Sequence, residues 1–151
     1  MAITKVTRHN TPAFFANSGS VTSLANTALT KVAITNEVFD TDACYASSRF
    51  TPTTAGKYFL HFSVAINTSS DMTAFYPVLF INGSEHATGT RIRKYHGGSD
   101  AAIQTYAQSA LVTANGTGDY FEVYAYQNSG GSIDTYNSTM DQFFFGYKII
   151  E

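Results

Sequence analysis

Residues 56–66 read GKYFLHFSVAI, and their side chains alternate between two kinds. One set is apolar throughout and consists of Tyr58, Leu60, Phe62, Val64 and Ile66. The other set is mixed and consists of Phe59, His61, Ser63 and Ala65. A period of two residues predicts a β-strand with one fully apolar face. Because the mixed face is neither charged nor plainly hydrocarbon, we expect it to be covered by something other than the domain's own core.

Further strands are predicted on both sides of this stretch, between Gly and Asn turns. They span Lys31 to Phe39, Phe75 to Ile81, Ile103 to Thr113, Tyr120 to Tyr126 and Phe143 to Ile150. Asn82-Gly83 supplies the positive φ angles of a tight hairpin turn. The last strand is too apolar on both faces to be an exposed edge. No segment has a helical period, so the pattern predicts an all-β sandwich or jelly roll. We divide the chain into a lead-in or attachment segment, 1–11, and one head domain, 12–151.

The composition excludes several classes of protein. Of the 151 residues, 15% are aromatic, which supplies too much burial for a disordered chain. The net charge of -2 excludes a strongly basic nucleic-acid binder. No apolar run approaches the roughly 18 residues of a membrane span, so we expect no membrane insertion. The first ten residues lack the apolar centre of a secretory signal, which predicts synthesis in a cytoplasm.

No catalytic motif is present in the sequence. It contains neither the Gly-x-Ser-x-Gly elbow of serine hydrolases nor the His-Glu-x-x-His pair of zinc proteases. The single cysteine, Cys44, has no basic neighbour in sequence, which favours a packed thiol over a nucleophile. We therefore predict that the protein is not an enzyme.

Several short segments occur in a characteristic order along the chain. They are Thr35-Asn36-Glu37 through Cys44-Tyr45, Arg49 to Pro52, Gly56 to Phe59, Leu79 to Gly83, Ser109 to Glu122, and Ser138-Thr139 with Phe144 to Tyr147. In this order they resemble the C1q-like globular head, which belongs to the tumour necrosis factor-like superfamily. The resemblance covers most of the chain from Pro12 to its end.

The resemblance implies a ten-stranded jelly roll that assembles as a tight homotrimer, with the inner sheets of three subunits against the axis. It implies structural core positions at Gly56, Tyr58 and Gly146. It implies trimer-interface positions at Phe59, His61, Tyr106 and Phe144. On a threefold axis three copies of His61 could bind a metal ion, although a hydrogen-bonded interface histidine is the favoured interpretation.

The same resemblance leads to a hypothesis about function. No collagen-like Gly-X-Y region precedes the head, and compact, low-charge, Thr/Asn-rich heads resemble virion structural proteins of bacteriophages. This predicts a virion protein on a phage tail or capsid fibre, bound to other virion proteins and to a host-cell surface glycan or receptor. Two alternatives stay open: a capsid decoration or cement protein that does not bind the host, and a secreted C1q-like signalling or lectin head without its signal and stalk.

Two groups of residues are candidates for ligand binding. Arg91 and Arg93 would share one face of a strand and could meet an acidic sugar or a phosphate, or form a solvated or subunit-bridging patch. The resemblance implies that Tyr120, Tyr124 and Tyr126 share the outward face of another strand, where they could stack on sugar rings or dock a virion protein. The alternative for these tyrosines is an ordinary strand composition.

Calcium is considered because some C1q-like heads bind it near the apex. Asp40 and Asp42 lie two residues apart in a predicted loop, and loop oxygens suit calcium. Two carboxylates do not make a site, and turn-forming aspartates are the favoured interpretation. We predict no cofactor and leave calcium as the alternative.

Overall fold

A computed structural model of the chain describes residues 11–68, 71–86 and 102–150. The described part forms strands and no helix. The strands are β1 Ala13–Asn17, β2 Ser23–Leu24, β3 Thr30–Lys31, β4 Asn36–Asp40, β5 Tyr45–Ala46, β6 Arg49–Phe50, β7 Gly56–Thr68, β8 Phe75–Ile81, β9 Ser84–Glu85, β10 Ala102–Ala114, β11 Phe121–Gln127, β12 Ile133–Asp134 and β13 Phe143–Ile150.

The strands form two main antiparallel sheets. The five-stranded sheet has the order β10-β7-β13-β1-β4. The six-stranded sheet contains the path β5-β6-β11-β8-β9, and β3 pairs with β11 beside this path. A two-stranded ribbon joins β12 to β2. This arrangement confirms the predicted all-β jelly-roll sandwich. The described residues contain thirteen strands rather than the expected ten, and six of the thirteen are only two residues long.

The core lies between the two sheets and contains a cluster of packed aromatic rings. The ring of Phe14 stacks on Phe50 and Tyr45, with centroids 4.3 and 5.0 Å apart, and meets Phe144 edge-on at 4.9 Å. Tyr58 is fully buried, and its hydroxyl donates a 2.7 Å hydrogen bond to the carbonyl of Thr54. Burying each such side chain contributes about 1.5–3 kcal/mol, so these rings hold the sheets together.

Most predicted strands agree with the structure. The bounds of β8 and β13 are those predicted, while β10 and β11 differ by one residue at each end. The Asn82-Gly83 turn has φ angles of 52° and 80°, as a tight hairpin requires. Strand β13 lies between β7 and β1, so it is not an exposed edge of the sheet, as predicted.

The prediction of one strand from Lys31 to Phe39 is wrong. The chain leaves the six-stranded sheet after β3 and joins the five-stranded sheet at β4. Val32 and Ile34 lie between these two strands and are buried in the core. A crossover between sheets therefore has the same β-branched composition as a strand, because its side chains are also buried.

Gly56 and Gly146 lie where the backbone leaves no room for a side chain. Gly56 has a φ of +147°, and a Cβ there would lie 2.6 Å from the carbonyl oxygen of Ile150. A Cβ on Gly146 would lie 2.8 Å from the carbonyl oxygen of Phe59 and would overlap Leu60. Both positions therefore require glycine for steric reasons.

Candidate functional site

The side of the five-stranded sheet that faces away from the core is rich in aromatic residues. Residues paired directly across an antiparallel ladder lie on the same face. The pairings His61 with Phe145, Phe145 with Phe15, and Phe15 with Phe39 therefore bring these side chains to one side. We call this surface the aromatic face, and it consists of Phe15, Phe39, Phe59, His61, Leu111, Phe143, Phe145 and Tyr147.

The rings of the aromatic face contact one another without a break. Phe59 lies 5.6 Å from Tyr147, His61 lies 5.2 Å from Phe145, and Phe15 lies 6.1 Å from Phe145. Leu111, paired with Phe59, is 71% exposed. Contiguous apolar surface of this kind marks an interaction site in a soluble protein.

His61 lies at the centre of the aromatic face. Its Nδ1 shares a 2.7 Å hydrogen bond with the hydroxyl of Ser109, its cross-strand partner. Partial burial lowers the pKa of His61 below its usual value, because the charged imidazolium loses solvation. These contacts favour a neutral, hydrogen-bonded histidine.

Two residues that were predicted for the interface lie in the core instead. Phe144 is 0% exposed and pairs with Phe62, while Tyr106 is 9% exposed and pairs with Val64. Phe62 and Val64 belong to the apolar set of β7, so their partners also face inward. The prediction that placed Phe144 and Tyr106 against the axis is therefore wrong. In their place Phe143 and Phe145 lie on the aromatic face.

At one end of the five-stranded sheet, the loop before β13 covers the side that faces away from the core. The hydroxyl of Ser63 donates to the carbonyl of Asp141 at 2.7 Å, and that of Thr105 donates to the Asp141 carboxylate at 3.2 Å. The loop before β13 thus crosses this end of β7 and β10. At the other end, Phe59 and His61 remain partly exposed.

The outward side of the six-stranded sheet carries two stacked ring pairs. Tyr124 stacks on Phe80 with centroids 3.8 Å apart, and Tyr126 stacks on Tyr76 at 5.0 Å. We call the outward side chains of β8 and β11 the tyrosine face. Tyr120 precedes β11, and its ring lies 4.0 Å from the guanidinium of Arg49. These contacts leave all three predicted tyrosines half-buried.

A buried carboxylate lies at one end of the tyrosine face. Glu122 pairs directly with Arg49 across β6 and β11, while β3 places Lys31 opposite the neighbouring Tyr124. The Oε1 atom of Glu122 accepts hydrogen bonds from Lys31 Nζ at 2.7 Å and from Arg49 Nε at 2.8 Å. Burial alone would raise the pKa of Glu122, but these two hydrogen bonds outweigh it and hold the pKa below its usual value.

A groove of about 530 Å³ lies beside this cluster. Lys31 and Arg49 line it together with the hydroxyl residues Ser47, Thr51 and Thr53. Sequence reasoning did not find this site, because Glu122 lies 73 and 91 residues from its two partners. Locally, the sequence shows only that Glu122 lies among the alternating tyrosines of β11, which does not identify its partners.

The loop around Asp40 agrees with the turn interpretation. The two carboxylate oxygens of Asp40 accept the backbone N–H groups of Asp42 and Tyr45, at 3.1 and 2.6 Å. The buried thiol of Cys44 also donates to this carboxylate, at 3.2 Å, and burial raises its pKa. Cys44 is thus a packed, protonated thiol. In the described ranges, no group of three or more His, Cys, Asp or Glu side chains could hold a metal ion.

Some predicted residues are not among those that the structure describes. Arg91, Arg93 and the lead-in up to residue 10 lie outside the described ranges. The described residues contain no helix of sufficient length and hydropathy to cross a membrane.

Comparison with known proteins defines the class of fold. No family model and no curated protein sequence matches the chain. Murine APRIL at pH 8.5 superposes with a TM-score of 0.67 at 13% identity, over 93% of this chain and 100% of that one. Eiger TNF from S. frugiperda gives 0.64 at 10% identity, over 93% and 94%. The globular domain of zebrafish complement 1qA gives 0.54 at 14% identity, over 93% and 98%. The fold is therefore a TNF/C1q-like jelly roll.

Proposed function

We propose that this protein is a non-enzymatic binding head that forms a homotrimer through its aromatic face and presents its tyrosine face to a ligand. The observation that carries the proposal is the continuous aromatic surface on the outward side of the five-stranded sheet. Its rings contact each other, and Phe39, Leu111 and Tyr147 are exposed in the single chain. Covering them removes apolar area from water, at about 25 cal/mol per Å².

A trimer is supported by the resemblance of the sequence to C1q-like heads, in which the inner sheets of three subunits meet at the axis. The likeness of fold to APRIL, Eiger and complement 1qA is consistent with it. Three equivalent sites on one rigid head would bind a repeated ligand with higher avidity than a single site, because each further contact is intramolecular.

For the particular role, the proposal is a virion protein on a phage tail or capsid fibre, made in the host cytoplasm, whose head adsorbs to a host-cell glycan or receptor. The support is the low-charge, Thr/Asn-rich composition, which resembles such heads. Only 13% of the residues are charged. A head of this kind would also contact other virion proteins.

Assembly is tested with one acidic substitution on each sheet. Phe59→Asp places a carboxylate on the aromatic face, and Tyr126→Asp places one on the tyrosine face. We expect Phe59→Asp to yield a monomer, because a buried unpaired charge is costly, and Tyr126→Asp to keep the wild-type mass. An unchanged mass for Phe59→Asp would contradict the interface.

The role is tested by incubating the labelled protein with candidate host cells and with purified virions. Binding to cells that is lost on removal of surface glycans supports adsorption. Binding to particles but not to cells would assign the protein to capsid decoration instead. Turnover of a polysaccharide would contradict a non-enzymatic head.

A further inference from the structure

The groove beside Glu122 presents positive charge to solvent although a carboxylate lies next to it. The side chain of Glu122 is only 3% exposed, whereas those of Lys31 and Arg49 are 33% and 44% exposed. The carboxylate therefore holds the two cations in place from beneath. An approaching ligand meets the ammonium and guanidinium groups first.

Arg49 is held in a fixed orientation with part of its donor set unused. Its Nε donates to Glu122, and the ring of Tyr120 lies 4.0 Å from the guanidinium. Among the described residues, no hydrogen bond engages its two η nitrogens. Paired guanidinium N–H groups match the two oxygens of a carboxylate or phosphate, and little side-chain entropy remains to be lost.

Lys31 adds a second donor to the same groove. Its ammonium group donates to Glu122 at 2.7 Å and to the carbonyl of Ser47 at 2.9 Å. An ammonium carries three hydrogens, so one remains for a ligand. Both cations are fixed from the protein side, and among the residues that the structure describes each has a donor left over.

The remainder of the groove suits a sugar. Ser47, Thr51 and Thr53 contribute hydroxyl groups that can donate to or accept from sugar hydroxyls. A volume of about 530 Å³ lies within the usual 300–1,000 Å³ of small-molecule sites. The Asp40 to Cys44 loop borders the groove, and its carboxylates would repel an anion, so we place the anion at the Arg49 end.

We infer that this groove binds the oxyanion of an acidic saccharide, either a carboxylate or a phosphate, with the η nitrogens of Arg49 as the bidentate donor and Lys31 beside it. This inference rests on the proposed function and names its class of ligand. The tyrosine face next to it offers half-exposed rings on which further sugar units of a chain could stack.

The test is calorimetric titration of the full chain with four probes. They are a galacturonate oligosaccharide, a hexose 6-phosphate, inorganic phosphate and a neutral galactose oligosaccharide. We expect one of the two acidic sugars to bind more tightly than inorganic phosphate and the neutral sugar. The better acidic probe identifies the oxyanion as carboxylate or phosphate.

Two variants locate the site. Arg49→Lys keeps a cation for Glu122 but removes the paired N–H groups, so we expect acidic-sugar binding to weaken about tenfold or more. Lys57→Gln removes one positive charge from the other sheet and should leave the affinity unchanged. Equal weakening by both variants would mean that the loss is not specific to the groove and would overturn the site.

Three further outcomes would overturn the inference. They are no binding of either acidic sugar by the wild type, equal binding of inorganic phosphate, and wild-type affinity in Arg49→Lys. The native mass of each sample separates this result from the proposed function. A trimer that binds no acidic sugar refutes only the ligand class, whereas a monomer refutes the assembly.

Discussion

Phe144 and Phe145 are neighbours on β13, and the structure predicts opposite consequences for their replacement by alanine. Phe144 is fully buried between the sheets and contacts the rings of Phe14, Tyr45 and Phe62. Its removal should therefore cost about 3–5 kcal/mol of folding free energy, as is typical for a buried phenylalanine. In a domain of this size that corresponds to a melting temperature lower by roughly 6 to 20 °C.

Phe145 lies on the aromatic face and is half-buried in the single chain. Phe145→Ala should cost the isolated fold only about 1 kcal/mol, the centre of the range for point substitutions. Its main effect should be weaker association, because it removes a ring from the centre of the proposed interface. The two variants differ by one position, so composition and charge are matched.

The assay combines urea unfolding, followed by circular dichroism, with native mass measured over a range of protein concentrations. Phe144→Ala should lower the urea midpoint strongly. Phe145→Ala should shift the mass towards the monomer at concentrations where the wild type stays assembled. If Phe144→Ala cost less than about 1 kcal/mol while dissociating the assembly, Phe144 would face the axis, contrary to its place in the core.

Two further predictions concern packing and pH. Gly146→Ala should destabilise the fold by about 1–3 kcal/mol in urea titrations, because its Cβ would overlap Leu60. Gly131→Ala is the control and should be nearly neutral, because nothing lies within 4 Å of a Cβ there. Equal effects of the two substitutions would contradict the packing at Gly146. His61 has a lowered pKa in the fold, so its contribution to stability is present above the ordinary pKa of about 6.5 and is lost as the pH falls towards the lowered value. Urea unfolding at falling pH should show a loss of stability that His61→Gln reduces, and an identical pH profile in that variant would exclude His61 as the titrating group.

The fold could be predicted from the sequence because its main signal is local. The alternation in residues 56–66 specifies which side chains of β7 face the core, and the Asn82-Gly83 turn specifies a hairpin. The crossover between β3 and β4 could not be distinguished from a strand. Val32 and Ile34 have the composition of strand residues, and the sheet that each neighbour joins depends on distant partners.

The site was less predictable, for a related reason. In β13 both faces are aromatic, so local composition does not specify which of Phe143, Phe144 and Phe145 faces inward; the pairing with β7 decides it. The Glu122 cluster depends on two short strands, each only two residues long, that place Arg49 and Lys31 against β11. Neither short strand has a periodic signal of its own.

The proposed trimer requires that the aromatic face is covered by other copies of this chain. The most direct test is the native mass of the purified protein, measured by light scattering across a wide concentration range. We expect a particle of three chains, each of 16.4 kDa. A protein that stays monomeric at the highest concentration would contradict it, because the aromatic face would then remain in contact with water.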